Sequence, residues 1–111
     1  MNPMNDFIEL NKIIDEEHQR LLKYYSKGED KQKRTLARTV KMCEEVGELC
    51  SEILVFNTQQ RKTRKRNDKH LREEFADVII TNFLLAKNLD VDIEKGIKEK
   101  INKIEKRYGR K

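Results

Sequence analysis

The sequence predicts an all-α protein built as a helical bundle, and three observations lead to this fold class. The 111 residues include one proline and four glycines, too few turn formers for a sheet with many turns. Apolar residues recur at spacings of three and four along most of the chain. Charged residues make up 41% of the sequence, enough to cover the outward faces of several helices. At this length we expect one domain, residues 1–111, whose modest core would gain from association with a second copy.

The first helix is predicted over about residues 6–26. Asp6 can cap its start, and Glu9 follows three residues later. The segment 26–33 contains Gly28 and is predicted to be a turn. The apolar stripe of this first helix consists of Phe7, Leu10, Ile14, Leu21 and Tyr25.

The second helix is predicted over about residues 34–56. Cys43 and Cys50 share one face about 10 Å apart along the axis, which is too far for a disulfide between them. Neither forms a zinc-ligand spacing with His18 or His70, so we expect two reduced cysteines in the core. The stripe of small and apolar residues on this helix is Leu36, Val40, Cys43, Gly47, Cys50 and Leu54.

An exposed basic loop is predicted over residues 57–69, because this segment has no apolar periodicity. With a net charge of +5, the chain should attract anionic partners. Nucleic acid, free nucleotides and acidic membranes are all of this kind, so the charge does not distinguish between them. No stretch approaches the roughly 20 apolar residues of a membrane span, so we expect a soluble cytoplasmic protein. The basic residues of the loop are Arg61, Lys62, Arg64, Lys65, Arg66 and Lys69.

Two further helices complete the predicted bundle. The third, over about residues 70–88, is apolar nearly all round and should therefore lie at the centre. The fourth follows Asp92, a plausible N-cap, and should pack on one side only. Its narrow apolar stripe consists of Ile93, Ile97, Ile101, Ile104 and Tyr108.

Carboxylates on the second and third helices are the candidate functional groups. Helical geometry places Glu44, Glu45, Glu48 and Glu52 within an arc of roughly 100°, and apolar neighbours indicate that part of this arc faces a protein interior. Glu74 and Asp77 interrupt the core helix one turn apart. Burying two unpaired carboxylates would cost several kcal/mol each, and no lysine or arginine lies between residues 75 and 86 to balance them. The pattern therefore predicts a metal ion.

The predicted ligands are Glu45, Glu48, Glu74 and Asp77, an all-oxygen set that suits Mg²⁺ or, as a substitute, Mn²⁺. Such an ion would polarise a phosphoanhydride bond. Glu44, which lies on the same arc next to Glu45, could orient or deprotonate the attacking water, so Glu44 and Glu45 are the candidate catalytic residues.

The amino-acid sequence of these motifs resembles that of a known family. CEEVGELCSEI followed by EEFADVI resembles the EExxE and ExxD motifs of the MazG-like all-α nucleoside triphosphate pyrophosphohydrolases, and the likeness covers roughly residues 36–108. The resemblance implies a four-helix bundle that cuts a nucleoside triphosphate to monophosphate and pyrophosphate with Mg²⁺. It also implies homodimers or homotetramers and phosphate contacts from Lys41, Lys100 and Arg107. The chain departs from the family at Thr81 and Ile104, two positions that bear on substrate contacts.

Three other functions remain open on the sequence. The first is phosphoribosyl-ATP pyrophosphohydrolase, which shares the arrangement of carboxylates but usually has a different sequence around the second motif, EEFADVI here. The second is a nucleic-acid-binding module that grips phosphates with RKTRKR. The third is a helical interaction protein without catalysis, whose partner surface would be the isoleucine stripe of the fourth helix.

Overall fold

The computed structural model describes residues 3–24, 30–58 and 67–109. These residues form four α-helices and no strand, which confirms the predicted all-α four-helix fold. Across these ranges, none of the helices combines the length and apolar character that a membrane span needs. The helices are α1 (Pro3–Tyr24), α2 (Lys31–Thr58), α3 (Asp68–Asn88) and α4 (Ile93–Arg107).

Helices α1 and α2 begin earlier than the sequence predicts. Helix α1 starts at Pro3, where a fixed φ and a missing N–H suit the first helical position, so Asp6 lies in the first turn instead of capping the helix. Helix α2 starts at Lys31 because Asp30 is its cap: its Oδ1 accepts a hydrogen bond from the Lys33 amide at 2.8 Å. Of the predicted turn over 26–33, residues 26–29 lie outside the described residues, whereas residues 31–33 are helical, so the turn was predicted too long.

The basic loop was predicted too wide at both ends. Helix α2 continues to Thr58, and α3 begins at Asp68 behind Asn67, whose Oδ1 accepts from the His70 amide at 3.1 Å. Most of the predicted basic cluster, residues 61–66, lies outside the described residues. The predicted cap of α4 is confirmed, since Asp92 Oδ1 accepts from the Lys95 amide at 3.0 Å.

Helix α3 lies at the centre, as predicted, and packs against both α1 and α2. The core joins Ile14 of α1 to Phe83 and Leu84 of α3. The first turns of α4 reach this core through Ile93 and Ile97. The second half of the α4 stripe, formed by Ile101, Ile104 and Tyr108, is exposed.

Several predicted core positions face outward in the single chain. Helix α3 is not buried all round, because Phe75, Ile79 and Ile80 are exposed. Cys43 and Cys50 are free, as predicted, but both are exposed, so their placement in the core is wrong for one chain. The Cα radius of gyration is 17.2 Å, whereas a compact chain of this length has about 13 Å. The fold is therefore open, with much of its apolar surface uncovered.

Candidate metal centre

Three carboxylates converge where α2 packs on α3. Glu45 and Glu48 project from neighbouring turns of α2, and Glu74 projects from α3. One oxygen of each lies within 4.8 Å of an oxygen of the other two. Glu45 and Glu74 are only 7% and 8% exposed, whereas Glu48 is exposed. We call Glu45, Glu48 and Glu74 the carboxylate cluster. Two of its members are buried, and the third, Glu48, leaves one side of the cluster open to solvent.

Each buried carboxylate has a basic side chain beside one of its two oxygens. Lys41 Nζ lies 3.2 Å from Glu45 Oε1, and His70 Nε2 lies 3.4 Å from Glu74 Oε1. The second oxygens, Glu45 Oε2 and Glu74 Oε2, are buried and have no hydrogen-bond partner among the residues that the structure describes. A buried carboxylate oxygen without a partner is costly. Two such oxygens beside an exposed carboxylate fit a hard divalent cation such as Mg²⁺ or Mn²⁺.

The pKa values of Glu74 and Lys41 are shifted by the charges that lie close to them. The pKa of Glu74 is raised, first by burial and next by the negative charge of Glu48, while His70 acts in the opposite direction. The pKa of Lys41 is raised because its ammonium hydrogen-bonds to Glu45. Neighbouring carboxylates therefore disfavour the charged form of Glu74, and a cation would favour it.

Asp77, the second residue of the predicted pair on α3, differs from Glu74 in its exposure to solvent. Asp77 is exposed, contrary to the expectation that both carboxylates are buried. Three residues along an α-helix correspond to a rotation of 300°, so Asp77 lies about 60° around the helix from Glu74. Its oxygens are not within the 4.8 Å group, yet its charge still helps to raise the pKa of Glu74. Asp77 is thus a neighbour of the cluster at its solvent side.

The other predicted site residues lie at various distances from the cluster. Glu44 is exposed on α2, 3.7 Å from Lys41 Nζ. Lys100 lines an apolar cavity of about 490 Å³ between α3 and α4, together with Val78 and Ile79. Arg107 is exposed in the last turn of α4 and forms no ion pair with the cluster among the described residues. One chain therefore brings Lys41 to the carboxylates but leaves Arg107 apart from them.

His70 is the residue that the sequence reasoning missed. Its Nε2 lies between Glu74 Oε1, at 3.4 Å, and Glu52 Oε1, at 3.6 Å, and so links the two helices. The signal was its position four residues before Glu74, which puts both side chains on one face of a helix. The spacing of His70 from the two cysteines excludes a zinc site, and we assign His70 no other role from the sequence.

The comparison with protein families is consistent with this geometry. Residues 36–111, about two thirds of the chain, match a family model described as MazG-like family. The matched region includes all three members of the carboxylate cluster and excludes α1. The chain has no significant match among curated proteins or among solved structures.

Proposed function

This chain belongs to the MazG-like family, and we propose that it hydrolyses a nucleoside or deoxynucleoside triphosphate to the monophosphate and pyrophosphate, with Mg²⁺. One observation carries the proposal: two buried carboxylate oxygens, Glu45 Oε2 and Glu74 Oε2, lie next to the exposed Glu48 and have no hydrogen-bond partner within residues 3–24, 30–58 and 67–109. The role that such chemistry suits is removal of unwanted nucleotides from the cellular pool.

Each residue has a distinct proposed role. Glu45, Glu48 and Glu74 would hold the ion, and Asp77 would complete the set from the solvent side. When bound, Mg²⁺ would supply the positive charge that polarises the phosphoanhydride. Glu44, which is exposed beside the cluster, would orient the attacking water or accept its proton, together with Glu45. Lys41 would bind a phosphate oxygen, and Lys100 and Arg107 would add phosphate contacts.

A bound cation would also affect the ion pair between Lys41 and Glu45. The Lys41 ammonium group lies 3.2 Å from Glu45 Oε1 and 3.7 Å from Glu44 Oε2, and its side chain is exposed. A cation on the Glu45 carboxylate would weaken this pair by competing for the same negative charge. The ammonium group would then be available to a triphosphate at the open side of the cluster.

The products follow from what the sequence offers. It contains no GxxxxGK[ST] phosphate-binding loop that could hold the terminal phosphoryl group for transfer. The missing loop argues against transfer of the terminal phosphoryl group, and the MazG-like resemblance implies that water attacks the α-phosphorus, so that pyrophosphate is the leaving group. We propose release of intact pyrophosphate.

The test is to incubate the purified protein with a panel of nucleoside triphosphates, deoxynucleoside triphosphates and phosphoribosyl-ATP in Mg²⁺, and to measure pyrophosphate and orthophosphate separately. Pyrophosphate equal in amount to the monophosphate is the expected result. Hydrolysis of phosphoribosyl-ATP alone would select the alternative enzyme. Stepwise orthophosphate release would contradict the proposal.

A nucleic-acid-binding module remains the second candidate, because the chain has a net charge of +5 and a basic segment at residues 61–66. The buried carboxylates of the cluster are unsuited to a phosphate backbone and favour the enzyme. We also propose that the active form is a homodimer or homotetramer.

A further inference from the structure

Arg38 on α2 is a buried cation that meets no carboxylate in the part of the chain that the structure describes. It is 9% exposed, and its Nη1 donates to the backbone carbonyl of Leu84 on α3 at 3.0 Å and to Nδ1 of His18 on α1 at 2.8 Å. Its Nη2 is buried without a hydrogen-bond partner among the described residues. A buried charge is costly unless its hydrogen bonds are satisfied. We call His18, Arg38 and the Leu84 carbonyl the α1 latch, because they join three helices.

The hydrogen bond from Arg38 fixes the protonation state of His18. A guanidinium group carries donors only, so Nδ1 of the imidazole must accept, and it can accept only when it holds no proton. The His18 ring is therefore neutral, with its proton on Nε2. A proton on Nδ1 would remove one of the two acceptors that the described residues offer to Arg38, and it would place two positive charges 2.8 Å apart.

The charged groups around His18 come from each helix packed against it and disfavour its protonation. They are Arg34 and Arg38 on α2, Lys87 on α3, Asp15 on its own helix, and Asp90 after α3. Both carboxylates already have lysine partners, Lys87 for Asp15 and Lys31 for Asp90. Burial lowers the pKa of His18 from its ordinary value of 6.5, and Arg38 and Lys87 act in the same direction. The protein thus favours the neutral ring that the hydrogen bond requires.

Helix α1 is the element that the latch holds in place. Its core residue Ile14 packs with Phe83 and Leu84 of α3. The helix lies outside residues 36–111, which match the family model and include the carboxylate cluster. Because α2 and α3 pack directly on each other, α1 can leave without breaking their contact. Its departure would uncover Arg38 and the apolar surface of Phe83 and Leu84.

We propose that the α1 latch is a pH-sensitive switch: α1 is docked on α2 and α3 while His18 is neutral, and it is released when His18 takes up a proton. The sign follows from linkage, since a folded-state pKa below the unfolded value contributes stability that is present above pH 6.5 and is lost as pH falls through the folded value. The inference is independent of the proposed activity. Arg38 precedes Glu45 by two helical turns, about 10 Å along α2.

The test is amide hydrogen exchange of the full chain, read by mass spectrometry between pH 7.5 and pH 5 and expressed as protection relative to the intrinsic rate at each pH. His18→Gln keeps an acceptor for Arg38 and takes up no proton in this range. His70→Gln is the matched control, because it removes the other histidine of the chain. In wild type and His70→Gln we expect the protection of α1 relative to α3 to fall at least about tenfold at low pH. In His18→Gln it should stay constant.

Proton NMR of the wild type gives a second measurement that needs no variant to fold. His18 and His70 are the two histidines of the chain, so their ring signals can be assigned with one variant. The His18 signal should titrate below pH 6.5, and its midpoint should coincide with the loss of α1 protection. A His18 midpoint at or above 6.5, α1 protection that persists through the titration, or an equal loss of protection in His18→Gln would each overturn the proposal.

Discussion

Glu74 shows at the scale of one residue why a cation would stabilise the carboxylate cluster. Burial and the charge of Glu48 raise its pKa, so the folded chain without metal holds a proton more readily than the unfolded chain does. A folded-state pKa above the unfolded value adds stability that is complete below the unfolded pKa, 4.5, and is lost as pH rises through the folded value. The carboxylate therefore destabilises the metal-free protein at neutral pH.

The first prediction follows from the direction of the Glu74 pKa shift. In EDTA, the melting temperature of the wild type relative to Glu74→Gln should fall as pH rises from about 4.5 towards 7.5. Millimolar Mg²⁺ should raise the wild-type melting temperature at pH 7.5 and much less at pH 5, where protons compete for the same oxygens. Thermal melts of both proteins measure this. An equal Mg²⁺ shift in wild type and Glu74→Gln would show that the carboxylates do not bind the ion.

The second prediction concerns the exposed carboxylates. Glu48→Gln and Asp77→Asn remove charge but little volume, and both positions are exposed, so helical circular dichroism should be unchanged. Each should lower kcat/KM for pyrophosphate release at least about 100-fold, since even outer-shell groups of metal sites contribute 10–100-fold. Glu99→Gln, at an exposed position on α4, is the control and should keep full activity. Near-normal turnover in Glu48→Gln or Asp77→Asn would mean that the ion lies elsewhere.

At the scale of one element, the first turn of α3 joins stability to the site. Asn67 caps this turn through the amide of His70, and the His70 ring then contacts Glu74 and Glu52. A change at the cap should therefore act on both the helix and the position of the imidazole. At the cap of α4, Asp92 accepts from the backbone amide of an exposed lysine, Lys95, and the described part of the chain shows no comparable link to the cluster there.

The third prediction tests this cap. Asn67→Ala should lower the free energy of unfolding by about 1 kcal/mol, because the amide of His70 loses its acceptor. For a domain of this size that is a fall of roughly 4–8 °C in melting temperature. Asn67→Asp keeps a side-chain acceptor and should stay close to wild type. Chemical denaturation of the three proteins decides the matter, and equal stability of Asn67→Ala and wild type would contradict the capping role.

At the scale of the whole molecule, charge should govern how substrate is captured. The chain carries a net charge of +5, and five basic residues occupy positions 61–66. Clustered cations attract a triphosphate over about a Debye length, near 10 Å at 0.1 M salt. This attraction should change the rate at which substrate meets the protein and the strength with which it binds. It should not change the rate of the chemical step at the carboxylates.

The fourth prediction separates these two contributions. Replacing Arg61, Lys62, Arg64 and Arg66 together by glutamine should raise KM at low salt and flatten its salt dependence, with kcat mostly unchanged. The control changes net charge equally on α4, with glutamine at Lys95, Lys98, Lys103 and Lys106. An unchanged KM in the first variant would show a solubilising segment, and selective loss of nucleic-acid binding would favour the second candidate function.

The sequence by itself determined the four helices, the central position of α3, the cap at Asp92 and the grouping of carboxylates into EExxE and ExxD. These features depend on contacts within a few residues, or on the 3.6-residue period, so local pattern is sufficient to predict them. Helix starts at Pro3 and Lys31 were missed because the apolar periodicity begins later than the backbone conformation does.

Only the tertiary structure decided which face of each helix turns inward. Periodicity shows that Cys43 and Cys50 share a face with Leu54 and that Glu45 shares one with Glu52, but α2 could bury either face. Contact with α3 buries the charged face, which exposes the cysteines and brings Glu74 beside Glu45 and Glu48. The same packing places His70 between two helices and leaves Asp77 exposed. These outcomes depend on residues far apart in the chain, whose mutual distances are set by helix packing and not by local sequence.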